Sequence, residues 1–177
     1  MTILSAQSIR ARHIEMLHAD GRPMIDPFSE RGVFQGKSYG LSSCGYDVRL
    51  DQMIEMKEGF ILASTMERIR IPIDLVAHVR DKSSWARQGL TVASTVLEPG
   101  WYGFVTLELT LHPCPALGPR YLRLPAGTPI AQIQFTKLDW PTEQPYPAGG
   151  KYQNQERGPV PARDEETPEP EGQGDGW

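Results

Sequence analysis

The sequence lacks the features that mark several large classes of protein. Only two of its 177 residues are cysteines, and no apolar stretch approaches the roughly 18 residues that a membrane-spanning helix requires. The amino terminus has no apolar block followed by a small-residue cleavage site, so it does not resemble a signal peptide. We therefore expect a cytoplasmic protein without a membrane partner, whose Cys44 and Cys114 remain thiols.

The sequence also has no excess of positive charge and no zinc-binding pattern. Residues 162–177 hold six of the 22 acidic residues and one of the 18 basic residues, which leaves 16 acidic and 17 basic in residues 1–161. A nucleic-acid groove needs clustered positive charge, so this near-neutral body argues against a nucleic-acid partner. Two isolated cysteines cannot supply the ligands of a structural zinc site. Any phosphate binding must therefore be local.

What the sequence does contain is a series of short alternating runs between residues 39 and 137, separated by Gly, Pro or Asp. Alternation of apolar and polar residues over about five to eight positions is typical of strands. The predicted strands are YDVRL, ERIRIPI, LVAHV, FVTLELTL, RYLRL and PIAQIQF. Many short strands with turn signals predict a mainly β domain, such as a sandwich, a jelly roll or a similar closed body.

A short amino-terminal helix is predicted ahead of the strands. Ser5 is placed to cap it, because a serine hydroxyl can accept a hydrogen bond from a free backbone N–H of the first turn. Four residues spaced for one helix face are expected to pack inward: Ile9, His13, Met16 and Leu17.

A second short helix is expected near residues 83–89, where a serine can cap it and a glycine can end it. A helix amino terminus exposes unpaired N–H groups that attract phosphate. Lys82 together with the hydroxyls of Ser83 and Ser84 therefore forms a candidate triphosphate site, and Arg87 follows one turn later. The alternative is a capped surface turn with a solvated lysine and arginine.

The run FVTLELTL predicts a strand with one core face. Four residues are expected to face the core: Val105, Leu107, Leu109 and Leu111. Thr106 and Glu108 are expected on the other face. If Glu108 lies in a cavity, burial raises its pKa and allows it to transfer protons near neutrality. The alternative is an ordinary glutamate that faces solvent.

The segment YPAGGKYQNQ, residues 146–155, combines glycines, aromatics, amides and one lysine. This composition suits a mobile flap that closes on a polar ligand. The alternative is a plain linker towards residues 161–177, which are acidic, lack apolar content and are expected to be a disordered tail.

Several of these motifs resemble those of one enzyme family. The motifs DKSSWARQGL, LEPGWYGFVTLEL, PAGTPIAQIQF and GKYQNQ look like the dCTP deaminase pattern, and CGYDVRL is similar to the first motif shared with dUTPases. The match touches most of residues 5–160 in the same order. The resemblance implies a distorted jelly-roll or β-clip body of the dUTPase-like type. It implies one domain over residues 1–160, with residues 146–160 as a flap over the active site.

The resemblance also implies roles for individual residues. Glu108 would be the general acid/base, with Arg87 and Ser83 beside the reacting base. The nucleotide-binding residues would be Lys82, Ser84, Glu98, Thr106, Leu107, Tyr146, Lys151 and Gln155. A backbone carbonyl within residues 93–96 would hold the attacking water. Such enzymes are homotrimers that share active sites between subunits, and magnesium accompanies the triphosphate.

The function implied is hydrolytic deamination of dCTP to dUTP and ammonia without zinc, which feeds dUMP and dTTP synthesis. Zinc-dependent deaminases carry H-x-E and P-C-x-x-C motifs, and this chain has neither. One alternative is a dUTPase, or a bifunctional enzyme that also releases pyrophosphate. Another is a non-catalytic nucleotide-binding regulator. The combination of Glu108 with Arg87 and Ser83 favours deamination.

Overall fold

The computed structural model describes residues 2–164, so the predicted acidic tail lies outside the described residues except for residues 161–164. This part of the chain contains thirteen strands, two α-helices and a short 3-10 helix. In chain order they are β1 (Thr2–Ile3), α1 (Ala6–Asp20), β2 (Ile25–Asp26), β3 (Gly32–Phe34), β4 (Lys37–Ser42), β5 (Gly45–Arg49), β6 (Ile54–Lys57), β7 (Gly59–Arg70), β8 (Leu75–Asp81), α2 (Ser83–Ala86), β9 (Leu90–Val92), β10 (Val96–Leu97), β11 (Tyr102–Leu111), the 3-10 helix (Pro115–Leu117), β12 (Tyr121–Leu124) and β13 (Pro129–Lys137).

The strands form antiparallel sheets, which confirms the mainly β fold. The largest sheet has the order β10-β8-β13-β5-β4-β3, with β1 also paired to β13. A second sheet has the order β2-β7-β11-β9, and β12 pairs with β6. All six predicted strands lie on strands of the structure. The largest correction concerns β7, which begins at Gly59 instead of Glu67 and ends at Arg70, before Pro72 removes a backbone donor.

The second sheet is built around the pairing of its two longest strands, β7 and β11. The register joins Leu107 to Ala63 and Glu108 to Leu62, with a bulge between Phe104 and Thr106. The predicted core face of β11 is buried at all four positions, whereas Thr106 and Glu108 remain partly exposed on the other face. The predicted alternation is therefore confirmed.

A buried ion pair connects the two larger sheets. Glu67 on β7 is fully buried, and both the backbone N–H and the Nε of Arg49 on β5 donate to its carboxylate, at 2.8 and 2.7 Å. Burial raises the pKa of Glu67, and the bonds from Arg49 oppose that rise. A buried carboxylate is tolerated only with such partners, so this pair fixes β5 against β7.

Helix α1 follows the prediction in part. Ser5 precedes its first residue, but the Ser5 Oγ contacts Ser8 Oγ at 3.1 Å and makes no cap to the backbone. Ile9 and His13 are buried, whereas the prediction for Leu17 is wrong because its side chain is 42% exposed. At 3.6 residues per turn, Leu17 lies about 80° around the helix from Ile9, at the edge of the buried stripe.

Helix α2 is shorter than predicted. It spans Ser83–Ala86, and its N-cap residue is Lys82, so neither Ser83 nor Ser84 occupies the capping position. The chain continues as a turn to Gly89, where a φ of 74° takes the left-handed conformation that favours glycine. Trp85 is buried, and its Nε1 donates to the carbonyl of Pro129 at 2.6 Å, which attaches α2 to β13.

The two cysteines are free thiols, as predicted; Cys44 is exposed, in the turn between β4 and β5, and Cys114 is partly buried. None of the helices within residues 2–164 combines the length and the apolar character needed to cross a bilayer.

The burial of His13 predicts a pH-dependent contribution to stability. Its ring stacks on Phe28 with centroids 4.2 Å apart, and burial lowers the His13 pKa, although the charge of Asp26 opposes this. The folded state therefore binds fewer protons than the unfolded state just below about pH 6.5, and stability falls as the pH drops through that range. We expect His13→Leu to show a smaller loss of unfolding free energy than the wild type between about pH 7.5 and about pH 5.5.

Urea denaturation at both pH values measures this effect. His18 lies exposed in the last turn of the same helix, so His18→Gln is the control for removal of a histidine from α1. Identical pH dependence in all three proteins would show that His13 is not responsible.

Candidate functional site

A cavity of about 490 Å³ lies beside β7 and β11, within the size range of small-molecule sites. Its walls are mainly apolar and come from β7, β11, residues 95–98 and the carboxyl-terminal segment. The lining residues are Phe60, Leu62, Thr95, Val96, Leu97, Glu98, Trp101, Val105, Thr106, Glu108, Tyr146, Tyr152, Gln155, Val160 and Ala162. The cavity thus holds five of the eleven predicted site residues: Glu98, Thr106, Glu108, Tyr146 and Gln155.

Glu108 and Glu98 are the two carboxylates of the cavity, and their environments differ. Glu108 is partly buried, and its Oε2 is shielded from solvent without a hydrogen-bond partner among residues 2–164. Burial raises the pKa of Glu108, and a hydrogen bond from its own backbone opposes the rise. Glu98 is exposed, just before the Pro99-Gly100 turn. A carboxyl group whose charged form is destabilised in an apolar cavity can both accept and donate a proton near neutral pH.

Thr106 holds the carboxyl-terminal segment beside the cavity. The Gln155 side chain donates to Thr106 Oγ1, and the backbone N–H of Val160 donates to the same oxygen at 3.0 Å. Main-chain bonds run from Asn154 N to Tyr102 O at 2.8 Å and from Phe104 N to Gln155 O at 2.9 Å. Residues 154 and 155 therefore lie along the edge of β11, and Val160 is held to the side chain of Thr106.

Close approach of these two segments depends on a glycine. A Cβ built on Gly103 would lie 2.8 Å from the backbone nitrogen of Gln155, which is closer than real Cβ atoms come. Gly103 also forms the parallel bridge to Gln155. The absence of a side chain at this position allows the segment to lie against the strand.

Three aromatic residues form one end of the cavity. The Tyr146 hydroxyl accepts the Tyr152 N–H at 3.1 Å, and Trp101 Nε1 donates to the Tyr152 carbonyl at 2.8 Å. Tyr146 is among the predicted site residues, whereas Trp101 and Tyr152 are not. The available signal was their position, since Trp101 directly follows Pro99-Gly100 and Tyr152 lies inside the flap motif.

The helix tip, residues 82–87 around α2, lies outside this cavity. Within the part of the chain that the structure describes, none of residues 82–87 lines it. Ser83 and Arg87 are exposed, and Ser84 Oγ is buried without a partner in residues 2–164. Lys82 Nζ is paired with Asp47 at 2.5 Å. One copy of the chain therefore does not bring the tip to Glu108.

Two other predicted residues lie next to the cavity without lining it. The Leu107 side chain is fully buried in the core, so only its backbone faces the strand edge. Lys151 has its ammonium 5.6 Å from the ring centroid of Tyr152, and its carbonyl accepts a bond from Arg163.

The segment expected to hold the attacking water contributes only two residues to the cavity wall. Of residues 93–96, Thr95 and Val96 line the cavity. The Thr95 carbonyl accepts the Val79 N–H at 3.0 Å, and Val96 pairs with His78 in the β10–β8 ladder.

Sequence comparisons identify a family with these features. A family model described as dCTP deaminase-like matches residues 51–138. The dCTP deaminase of Acidobacterium capsulatum is 36% identical, over 75% of this chain and 87% of that relative. The dCTP deaminase of Campylobacter fetus is 33% identical, over 88% of this chain and 95% of that relative. The resemblance inferred from the motifs is confirmed.

Solved structures agree on the fold. The 2'-deoxycytidine 5'-triphosphate deaminase of Agrobacterium tumefaciens matches with a TM-score of 0.57 and 18% identity, over 77% of this chain. This chain spans 48% of that one, about half its length. A mutant dUTPase of Staphylococcus aureus phage phi11, described with a structural Mg(II) ion, matches with a TM-score of 0.51 and 12% identity, over 70% of this chain. At such identities the likeness establishes the dUTPase-like fold alone.

The environment of Glu108 predicts that this residue destabilises the folded chain at neutral pH. Because its pKa is raised on folding, the stability it contributes is full below about pH 4.5 and is lost as the pH rises through the raised value. Glu108→Gln has the same shape without the charge. We expect it to raise Tm at about pH 8 by on the order of 2 °C, and to change Tm little at about pH 4.

Thermal denaturation followed by circular dichroism measures both values. Glu98→Gln, in the same cavity but exposed, is the control and should show no such pH-dependent gain. A Glu108→Gln protein that is less stable than the wild type at the higher pH would contradict the assigned environment.

Proposed function

Because this chain belongs to the dCTP deaminase family, we propose that it hydrolyses dCTP to dUTP and ammonia without zinc. The observation that carries the proposal is Glu108: its carboxylate has a raised pKa and one buried oxygen without a hydrogen-bond partner among residues 2–164, in a cavity of about 490 Å³. Attack of water at C4 of cytosine requires a group that can transfer protons to N3 and to the leaving amino nitrogen. In this reading the enzyme supplies uracil nucleotide for dUMP and dTTP synthesis and acts in the cytoplasm.

Glu108 is the general acid/base of the proposed reaction. It takes a proton from a water molecule and transfers it to N3 of cytosine, while the water oxygen attacks C4. In the tetrahedral intermediate the remaining hydroxyl proton passes through Glu108 to the amino group. The C4–N bond then breaks, ammonia leaves, and the C4 oxygen becomes the carbonyl of uracil. Arg87 and Ser83 would orient the water and the carboxylate.

The remaining cavity residues bind the nucleotide in this proposal. Thr106 and the backbone of Leu107 hydrogen-bond the pyrimidine edge, and Glu98 contacts the deoxyribose. Flap residues contact the sugar and the phosphates: Tyr146, Lys151 and Gln155. Gln155 and Val160 already donate to Thr106 Oγ1, so this hydroxyl would bind the pyrimidine by donating its own O–H.

We propose a homotrimer in which the helix tip of one subunit completes the cavity of another. This explains why Ser83 and Arg87 are exposed and are not among the residues that line the cavity within one chain. In this trimer the neighbouring subunit would also cover apolar residues at the cavity, where Phe60 is 61% exposed and Val96 is 55% exposed. Exposed apolar residues beside a cavity are typical of a surface that another chain covers.

Magnesium fits the proposal as a companion of the substrate. Within residues 2–164 no three His, Cys, Asp or Glu side chains converge on a point where they could hold a metal ion. The phosphate oxygens of the nucleotide would supply the ligands of the magnesium ion. Lys82 and Ser84 would contact the same phosphates. The ion would supply charge neutralisation of the triphosphate.

One reaction mixture tests the proposal against its alternatives. The purified protein is incubated with dCTP and magnesium, and ammonia, dUTP, dUMP and pyrophosphate are measured together. Ammonia with dUTP supports the proposal, and additional dUMP with pyrophosphate indicates a bifunctional enzyme. Pyrophosphate from dUTP without ammonia from dCTP indicates a dUTPase. No turnover of either nucleotide indicates a nucleotide-binding regulator.

Glu108→Gln should separate chemistry from binding. Without a proton acceptor, the rate of ammonia release should fall by about 10³-fold, while the Kd for dCTP stays within about threefold. Single-turnover kinetics and calorimetric titration measure the two quantities. Glu55→Gln, on β6 and outside the cavity, serves as the control with wild-type turnover. Deamination by Glu108→Gln near the wild-type rate would exclude the mechanism.

A subunit-mixing experiment tests the shared active site. Glu108→Gln and Arg87→Ala are each expected to be inactive. When they are unfolded together and refolded in equal amounts, about one quarter of the sites would combine an intact Glu108 with an intact Arg87 from the neighbour. We expect about a quarter of the wild-type activity to return. Mixed protein as inactive as its parents would show that both residues act within one chain.

A further inference from the structure

Lys82, at the start of α2, has its ammonium held by the large sheet. Its side chain is 12% exposed, and Nζ donates to Asp47 Oδ2 at 2.5 Å and to Ser38 Oγ at 3.2 Å. Asp47 lies on β5 and is 6% exposed at its side chain. The two residues are 35 positions apart, so the contact depends on the packing of α2 against β4 and β5.

Asp47 is itself held in one orientation by neighbouring strands. Ser38 Oγ on β4 donates to Asp47 Oδ2, and Gln132 Nε2 on β13 donates to Asp47 Oδ1, both at 3.1 Å. Gln132 Nε2 also contacts Ser42 Oγ at 3.0 Å. Strand pairing aligns Asp47 with Gly40 on one side and Gln132 on the other. The carboxylate therefore has little freedom to follow Lys82 if that side chain moves.

This arrangement leaves the ammonium partly available. An ammonium group has three N–H donors, and Asp47 and Ser38 accept two of them. An unpaired ammonium at this depth would be strongly disfavoured, because burial removes its hydration. A lysine free in solvent would lose considerable side-chain entropy on binding a phosphate. The Asp47 carboxylate reduces both costs. It replaces the lost hydration of the ammonium, and it orients the Lys82 side chain before an anion binds.

We propose that Asp47 is a positioning residue that orients Lys82 so that its third N–H donates to a phosphate oxygen of the nucleotide. This inference rests on the proposed function, in which Lys82 contacts the triphosphate. Asp47 acts through Lys82 and does not itself touch the substrate. Its effect is therefore on nucleotide affinity, and it grows with the number of phosphates.

Asp47→Asn tests the inference, because it preserves size while it removes the charge. Loss of one charge-assisted hydrogen bond predicts that KM for dCTP rises by about tenfold, with kcat changed by less than about twofold. Competitive inhibition by dCMP should weaken much less than dCTP binding. The control is Asp74→Asn, which removes a partly buried carboxylate from Arg12 at the opposite end of β8 from Lys82 and should leave KM unchanged.

A double-mutant cycle separates positioning from general destabilisation. In a Lys82→Gln background, Asp47→Asn should have almost no further effect on KM, because the residue through which it acts is missing. If Asp47→Asn does not fold, Ser38→Ala replaces it, since Ser38 bonds both members of the pair. An unchanged KM, or an equal rise in KM with and without Lys82, overturns the inference.

The test remains decisive if the proposed function fails. Calorimetric titration with inorganic tripolyphosphate requires no turnover, and its affinity should fall about tenfold in Asp47→Asn and stay unchanged in Asp74→Asn. Tripolyphosphate affinity that is equal in the wild type and Asp47→Asn would contradict the positioning role, whatever reaction the protein catalyses.

Discussion

Strand β11 has one face in the hydrophobic core and the other at the cavity, and the site depends on this division. Leu107 and Leu109 are fully buried in the core, while Glu108 between them faces the cavity. Pairing with β7 along nearly the whole strand fixes this register. Because side chains alternate, a slip of one residue would place the glutamate in the core and leucines in the cavity. The packing energy of the leucines therefore determines where the carboxylate points, and it can hold an ionisable group in an unfavourable environment.

Much of this strand and its role could be predicted from local sequence. The alternation in FVTLELTL indicated which residues are buried, and the same run placed Glu108 opposite them. The ordered motifs gave the family and hence the fold. Helix α2 was predicted at nearly the right place because two serines and a later glycine are local signals. In each case the information lies within about ten residues of the element concerned.

The features that escaped prediction depend on contacts between distant segments. Nothing near Lys82 in the sequence indicates that its ammonium pairs with Asp47. Likewise, nothing near Glu67 indicates that its carboxylate pairs with Arg49. The early start of β7 was missed because GFILASTM mixes small, polar and apolar residues without clear alternation. Tyr152 contributes to the cavity through the fold of the flap segment. Such relations arise from sheet order and chain reversal, which a periodic pattern does not encode.

Attachment of the flap to β11 has a consequence for how the sequence can vary. The bonds from Asn154 N to Tyr102 O and from Phe104 N to Gln155 O run between backbone atoms and would survive most replacements at positions 154 and 155, whereas the bond from the Gln155 side chain to Thr106 would not. The opposite position does not share that tolerance, since any side chain at Gly103 would meet the Gln155 nitrogen. The two sides of this contact are thus constrained differently: positions 154 and 155 can change side chain and keep their main-chain bonds, whereas a side chain at Gly103 would push these residues off the strand.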